Sequence, residues 1–214
     1  HDALPISWSV NNIAFAEVMH TALSYFQAGR AEAGYKLLKS SVLDGMYLGD
    51  SPGNFGQISF YDAARGECYR DFGDPIGVAS RVLIQGLFGI LPDALNQQII
   101  LRPGFPDDWD KASVSTPDIS YRFTRKEDTD TYHITQRFQT PLHPVLQINA
   151  RKEKIRSVKV NGVPATWQSI ESAHGYPLLS IQAEGTSSTT ITIEWEGASL
   201  HTLAVQELVI ASNG

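Results

Sequence analysis

The sequence has little of several things, and each shortage excludes something. It has one cysteine, Cys68, among 214 residues. An internal disulfide and a cysteine-rich metal site are both excluded. No apolar run approaches the length of about 20 residues that a membrane-spanning helix needs. Basic residues are few and dispersed: 17 Lys and Arg against 23 Asp and Glu, a net charge of -6. Without a basic patch the chain is poorly suited to nucleic acid. There is no repeat of fixed period and no low-complexity segment. The chain starts at His1, not Met. A processed chain or a fragment is therefore expected, and the lack of a leader then says nothing about compartment. Its length suits one large domain or two small ones and can bury a core.

What is present divides into a helical first half and a strand-rich second half. Ile13, Ala16, Val18, Met19, Ala22, Leu23 and Phe26 recur at helical spacing and predict a helix over Asn11–Ala28. Gly29 is placed to end it. A second helix is expected over Ala31–Val42, with Ala33, Leu37, Leu38 and Val42 inward. The connection Gly29–Arg30 is so short that the two should form an antiparallel hairpin. A third helix should begin near Asp74, an N-cap candidate, with Pro75 at the first helical position. Ile76–Ile90 is apolar nearly all round, interrupted mainly by Arg81 and Gln85, so burial among other helices is expected. Gly77, Gly86 and Gly89 suggest close approach of neighbouring helices.

Between these helices, Gly45–Asp74 is long and irregular, with an alternation at Gln57–Tyr61. A segment of that length inside a domain is functional or hides an element. It is rich in groups that suit sugars. Tyr47, Phe55, Tyr61, Tyr69 and Phe72 offer flat apolar faces, and Asp62, Arg65, Glu67, Arg70, Asp71 and Asp74 offer directional hydrogen bonds. Solvated charges and helix caps are the plainer reading of the same acids, most of all for Asp74.

After Ile90 the sequence reads L-P-D, then Gln98–Arg102 as a strand, R-P-G-F-P as a turn and Pro103–Pro117 as a linker. The acids at 107, 108 and 110 fit no calcium-loop pattern and read as a surface turn. From Asp118 the period becomes two. Strands are expected at Ile119–Arg125, Thr131–Phe138, Val145–Ala150, Ile155–Val160, Ala165–Gln168, Tyr176–Ala183 and Thr189–Trp195, with a last one in Leu200–Ile210. Asn161–Gly162 is a hairpin signal. An antiparallel β-sandwich follows. Trp167 and Trp195 are expected in the core rather than as sugar platforms. His133, His143, His174 and His201 show no ligand spacing, and no metal or organic cofactor is expected.

Taken in order, four stretches carry a resemblance. They are N-N-I-A-F-A-E-V-M-H-T-A-L-S-Y-F-Q-A-G-R with its following helix, D-F-G-D-P-I-G-V-A-S-R-V-L-I-Q-G-L-F-G-I, I-I-L-R-P-G-F-P-D-D-W, and I-R-S-V-K-V-N-G-V-P-A-T-W. Together they resemble glycoside hydrolases in which an (α/α)6 toroid precedes a C-terminal β-sandwich. These include bacterial α-L-rhamnosidases, inverting α-L-fucosidases and related sugar phosphorylases. The resemblance covers nearly the whole chain. It implies an α+β fold with the last toroid helices in residues 1–97, a connecting strand and linker in 98–117, and the sandwich in 118–214. A chain with room for about three or four helices before the strands is then the C-terminal portion of a longer enzyme, inactive alone.

In such toroids the loop entering the last inner helix faces the sugar, and in the fucosidases an acid there helps to activate water. The resemblance gives that role to Asp71 or Asp74, with Glu67 in reserve. D-F-G-D-P departs from the fucosidase pattern D-G-N-F-G at this point. Trp8, Asn11, Asn12, Arg65 and Arg70 are the implied sugar contacts, with Tyr69 and Phe72 as aromatic faces. Metal-independent acid–base hydrolysis is expected, with one acid protonated and the other ionised. The expected partners are the carbohydrate and either the rest of the enzyme or a second copy, meeting the apolar helical face. The implied compartment is the bacterial periplasm or exterior. A non-catalytic carbohydrate-binding or structural module with a helical adaptor is the alternative.

Overall fold

The computed structural model describes residues 12–48, 60–62, 67–69, 74–171 and 177–200. The candidate residues Trp8, Asn11, Arg65, Arg70, Asp71 and Phe72 lie outside these, as does nearly all of the strand expected in Leu200–Ile210.

The first helix, α1, spans Phe15–Gln27, so its expected start at Asn11 is corrected: Asn12–Ala14 is a strand, β1. Phe15, Ala16, Met19, Ala22, Leu23 and Phe26 form the buried stripe of α1. Its end follows from Gly29, whose φ of 73° only glycine adopts without strain. The Gly29 amide donates to the Phe26 carbonyl (3.0 Å) and the Arg30 amide to the Tyr25 carbonyl (2.9 Å). That pair of bonds is a Schellman ending, which turns the chain back at once. Helix α2 then spans Ala31–Val42, as expected, and packs along α1. It runs on into a π-helical turn, Leu43–Leu48, inside the stretch read as irregular.

Strands β2 (Phe60–Asp62) and β3 (Glu67–Tyr69) join β1 in a three-stranded sheet. Helix α3 spans Asp74–Arg81 and continues as a π-helical turn, Val82–Leu87. Within this chain Val82, Leu87, Phe88 and Ile90 are buried, while Ile76 is 49% and Leu83 40% exposed.

The three glycines also divide. A Cβ at Gly77 would meet nothing, whereas one at Gly86 would strike the Phe26 ring. Cβ atoms at Gly34 and Gly104 would strike the same ring, so Phe26 fills a socket made by three glycines from separate segments. Gly89 is not a packing glycine. It is a turn residue with φ 64°, and a Cβ there would overlap the Arg102 carbonyl. Its own carbonyl accepts from the Arg102 amide at 2.8 Å. Gly89→Ala is expected to destabilise the protein by more than about 2 kcal/mol, read by chemical denaturation, because strain and overlap act together.

The second half is a two-sheet sandwich. Its strands are β4 (Ile90–Asp93), β5 (Gln98–Leu101), β6 (Lys111–Ser115), β7 (Ile119–Lys126), β8 (Thr129–Gln136), β9 (His143–Asn149), β10 (Lys152–Val160), β11 (Val163–Pro164), β12 (Gln168–Ile170), β13 (Leu178–Gln182) and β14 (Ser188–Ser199). One sheet runs β11-β10-β14-β8-β7-β6, the other β12-β13-β9-β5-β4. The protein is thus α+β, with helices followed by a β-sandwich.

L-P-D forms most of β4. Three local expectations are corrected. The stretch read as a linker contains β6. Ala165–Gln168 is replaced by the short strands β11 and β12. The sheets are not wholly antiparallel, since β5 and β9 pair in parallel, Gln98 with His143 and Leu101 with Leu146. The Asn161–Gly162 turn is as expected, with φ of 51° and 81°. Both residues are left-handed, as a tight hairpin of this kind requires.

Between the sheets, Tyr121, Phe123, Tyr132, Ile134, Ile191, Ile193 and Trp195 of one face Ile99, Leu101, Leu146 and Ile181 of the other. Phe105 extends this core toward the helices. Its ring stacks on Phe123 at 5.1 Å and meets Phe88 edge-on at 5.4 Å. Trp195 is buried as expected, but Trp167 is 43% exposed, against the core assignment.

Candidate functional site

The candidate site is built on the three-stranded sheet, which delivers the chain into two helices. Strand β1 runs directly into α1, and β3 lies just ahead of α3. The register is Asn12 opposite Asp62, and Asp62 opposite Glu67. The next rows are Ile13–Tyr61–Cys68 and Ala14–Phe60–Tyr69. Residues opposite one another in a sheet stand on the same face, about 5 Å from neighbour to neighbour. Asn12 and Glu67 therefore share a row, with Asp62 between them. Tyr69 lies two residues along β3 from Glu67.

Of the ten candidate residues, the sheet brings together Asn12, Glu67 and Tyr69. Asp74 is the first residue of α3. Asp62 was weighed only as one of several polar groups in its segment. The signal that would have singled it out is the pairing of β2 with β3, which needs a strand at Glu67–Tyr69.

Among the described residues the groups with clearly displaced pKa values lie elsewhere, in the sandwich, and their causes are structural. Burial raises Tyr121 well above its ordinary value, and the neighbouring Tyr132 adds to this. Tyr132 is itself raised by burial and then by the charge of Asp130. Burial works against the charge of Arg125, but the hydrogen bond and charge of Asp130, with smaller help from Tyr132 and Asp107, outweigh it and raise its pKa.

Asp128 is held below the usual carboxylate range, chiefly by a hydrogen bond from Lys152, 2.6 Å away. Its stabilising contribution is complete above the ordinary carboxylate pKa and is lost as pH falls through the lowered one. Lys152→Met is expected to move the Asp128 titration upward toward the ordinary value, followed by carboxyl-carbon NMR.

A helical hairpin and a small three-stranded sheet precede the β-sandwich. No family model matches the sequence, and no curated protein matches it. The solved structures that align with it include the alpha-L-rhamnosidase from Dictyoglumus thermophilum, at a TM-score of 0.40 and 13% identity, over 60% of this chain and 14% of that one. The chain therefore spans 14% of the length of that structure.

Proposed function

We propose that the chain is the C-terminal portion of a glycoside hydrolase acting on oligo- or polysaccharide. Residues 1–97 supply the last helices of an (α/α)6 toroid, 98–117 the connection and 118–214 the sandwich. The observation that carries this reading is the row Asn12–Asp62–Glu67, set where the chain turns into the helices. It gives the acid-rich segment, which the family resemblance assigns to the sugar, a framework of three paired strands.

On this reading Asp71 activates the attacking water, Asp74 caps α3, and Glu67 stands in reserve. The partner acid belongs to another part of the enzyme. Tyr69 and Phe72 offer ring faces to the sugar, and Trp8, Asn11, Asn12, Arg65 and Arg70 bond its hydroxyls. The exposed Ile76 and Leu83, with Leu43 at 38% and Tyr47 at 56%, are the apolar positions against which the remaining helices pack. The enzyme works without metal or organic cofactor, in the periplasm or outside the cell.

The test is kinetic and uses the product of the full reading frame. Asp71→Asn is expected to lower kcat/KM on aryl glycosides by about 10²–10⁴-fold, the usual contribution of a positioned acid or base. A near-unchanged kcat/KM removes Asp71 from the mechanism. An unchanged value for Glu67→Gln as well removes the site.

A further inference from the structure

One face of the five-stranded sheet carries a second group of polar side chains, far along the sequence from the acids near α3. An open cleft of about 430 Å³ lies between the β10–β11 hairpin and the strands β5, β9 and β13. The register explains its lining. Gln98 pairs with His143 and Val145 with Gln182, so these four residues stand side by side on one face across three strands. Val160 and Pro164 of the hairpin form the opposite wall.

The polar groups are available to a ligand. Among the described residues, neither the Gln98 nor the Gln182 carboxamide has a protein partner. Each offers both donors and an acceptor, the combination that matches a hydroxyl group. His143 is held in place, since its Nδ1 accepts the Gly185 amide at 3.0 Å. That bond uses the Nδ1 lone pair, so the ring proton sits on Nε2 and His143 is a fixed donor. Glu184 is 92% exposed at the rim, 3.7 Å from His143 Nδ1, and adds an acceptor. The lining has no Lys or Arg and one carboxylate, which disfavours an anion.

An apolar wall facing neutral groups that both donate and accept is the arrangement that recognises a polyhydroxylated ring. We infer that this cleft binds one neutral sugar residue, either a free monosaccharide or the terminal unit of a glycan. No Phe, Tyr or Trp ring lines it, so the large aromatic platforms that hold sugars tightly are absent and the affinity is millimolar. The inference rests on the sandwich alone and is independent of the hydrolase reading.

The test is an amide NMR titration of the whole chain with glucose, galactose and xylose, and in parallel with a disaccharide of each. Saturable shifts are expected at the Gln98 and Gln182 side-chain amides and at the Gly185 amide. Equal affinity for the monosaccharide and its disaccharide marks a free-sugar site, and a stronger response to the disaccharide marks a glycan-end site. Gln98→Ala/Gln182→Ala is expected to weaken binding about tenfold or more. The unchanged Tm of this variant shows that the loss is not one of folding. No saturable shift with any of these sugars overturns the proposal, as does a double variant that binds as well as the parent.

Discussion

Asp130→Ala is expected to remove about 3–5 kcal/mol from the stability of the sandwich, the cost of breaking a buried ion pair from one side. Asp130 is 1% exposed and lies on the inward face of β8. Its Oδ1 accepts from Arg125 Nε at 2.8 Å, and its Oδ2 from Trp195 Nε1 at 3.1 Å. Arg151 Nε stands 3.6 Å from the same Oδ2. One carboxylate thus joins β7, β14 and the start of β10. Alanine removes the carboxylate that faces both guanidinium groups, leaving them only their contacts to the Asp107 and Glu127 carbonyls and Asp128, and it leaves the buried indole N–H without an acceptor. In a chain of this size the Tm falls by on the order of 10 °C. Asp130→Asn keeps an acceptor for Trp195 but loses the charge, and is expected to fall between the two. Calorimetry reads the series. A loss below about 1 kcal/mol for Asp130→Ala would show that the cluster holds nothing together.

Phe26→Ala is expected to cost about 3–5 kcal/mol, the range for deleting a buried aromatic ring. The distribution of that loss matters as much as its size. The ring lies against Gly34 in α2, Gly86 in the π-helical turn and Gly104 after β5. It ties the helical hairpin to the approach to β6. The sandwich has its own core around Trp195, Tyr121 and Ile134. Hydrogen exchange should therefore speed up in α1 and α2 while β7, β8 and β14 stay protected. Phe26→Leu refills part of the socket and should cost less than about half as much. Loss of protection spread evenly over both parts would mean that Phe26 is an ordinary core residue.

These two residues show what the sequence made legible. Phe26 was visible as the last member of a helical stripe, and α2 was read with its observed bounds because its periodicity is strong and Gly29 marks the junction. Asp130 was visible in principle, since T-D-T-Y-H-I-T-Q alternates and places Asp130 on the face of Tyr132 and Ile134. Its partners could not be read, because Trp195 and Arg151 reach it through strand pairing far along the chain.

The missed strands share a cause. β1 continues the apolar spacing of the helix that follows it, and only pairing with β2 makes it a strand. β4 contains Pro92 and β6 is mostly polar, and both are sheet edges, where proline and weak patterning are tolerated. The parallel pairing of β5 with β9 leaves no local mark at all. The same holds for the site. The acids of the segment before α3 were evident from composition, but the row joining Asn12, Asp62 and Glu67 exists only through register.

We propose α1, α2 and α3 as part of a ring of helices closed by the rest of the enzyme. The structure of the protein encoded by the full reading frame tests this most directly. About eight further helices are predicted to close the ring. Ile76 and Leu83 should lie beneath them, and Glu67, Asp71 and Asp74 should line the central cavity. Ile76 and Leu83 left in solvent, with α1–α3 standing as a separate unit beside the sandwich, would contradict it.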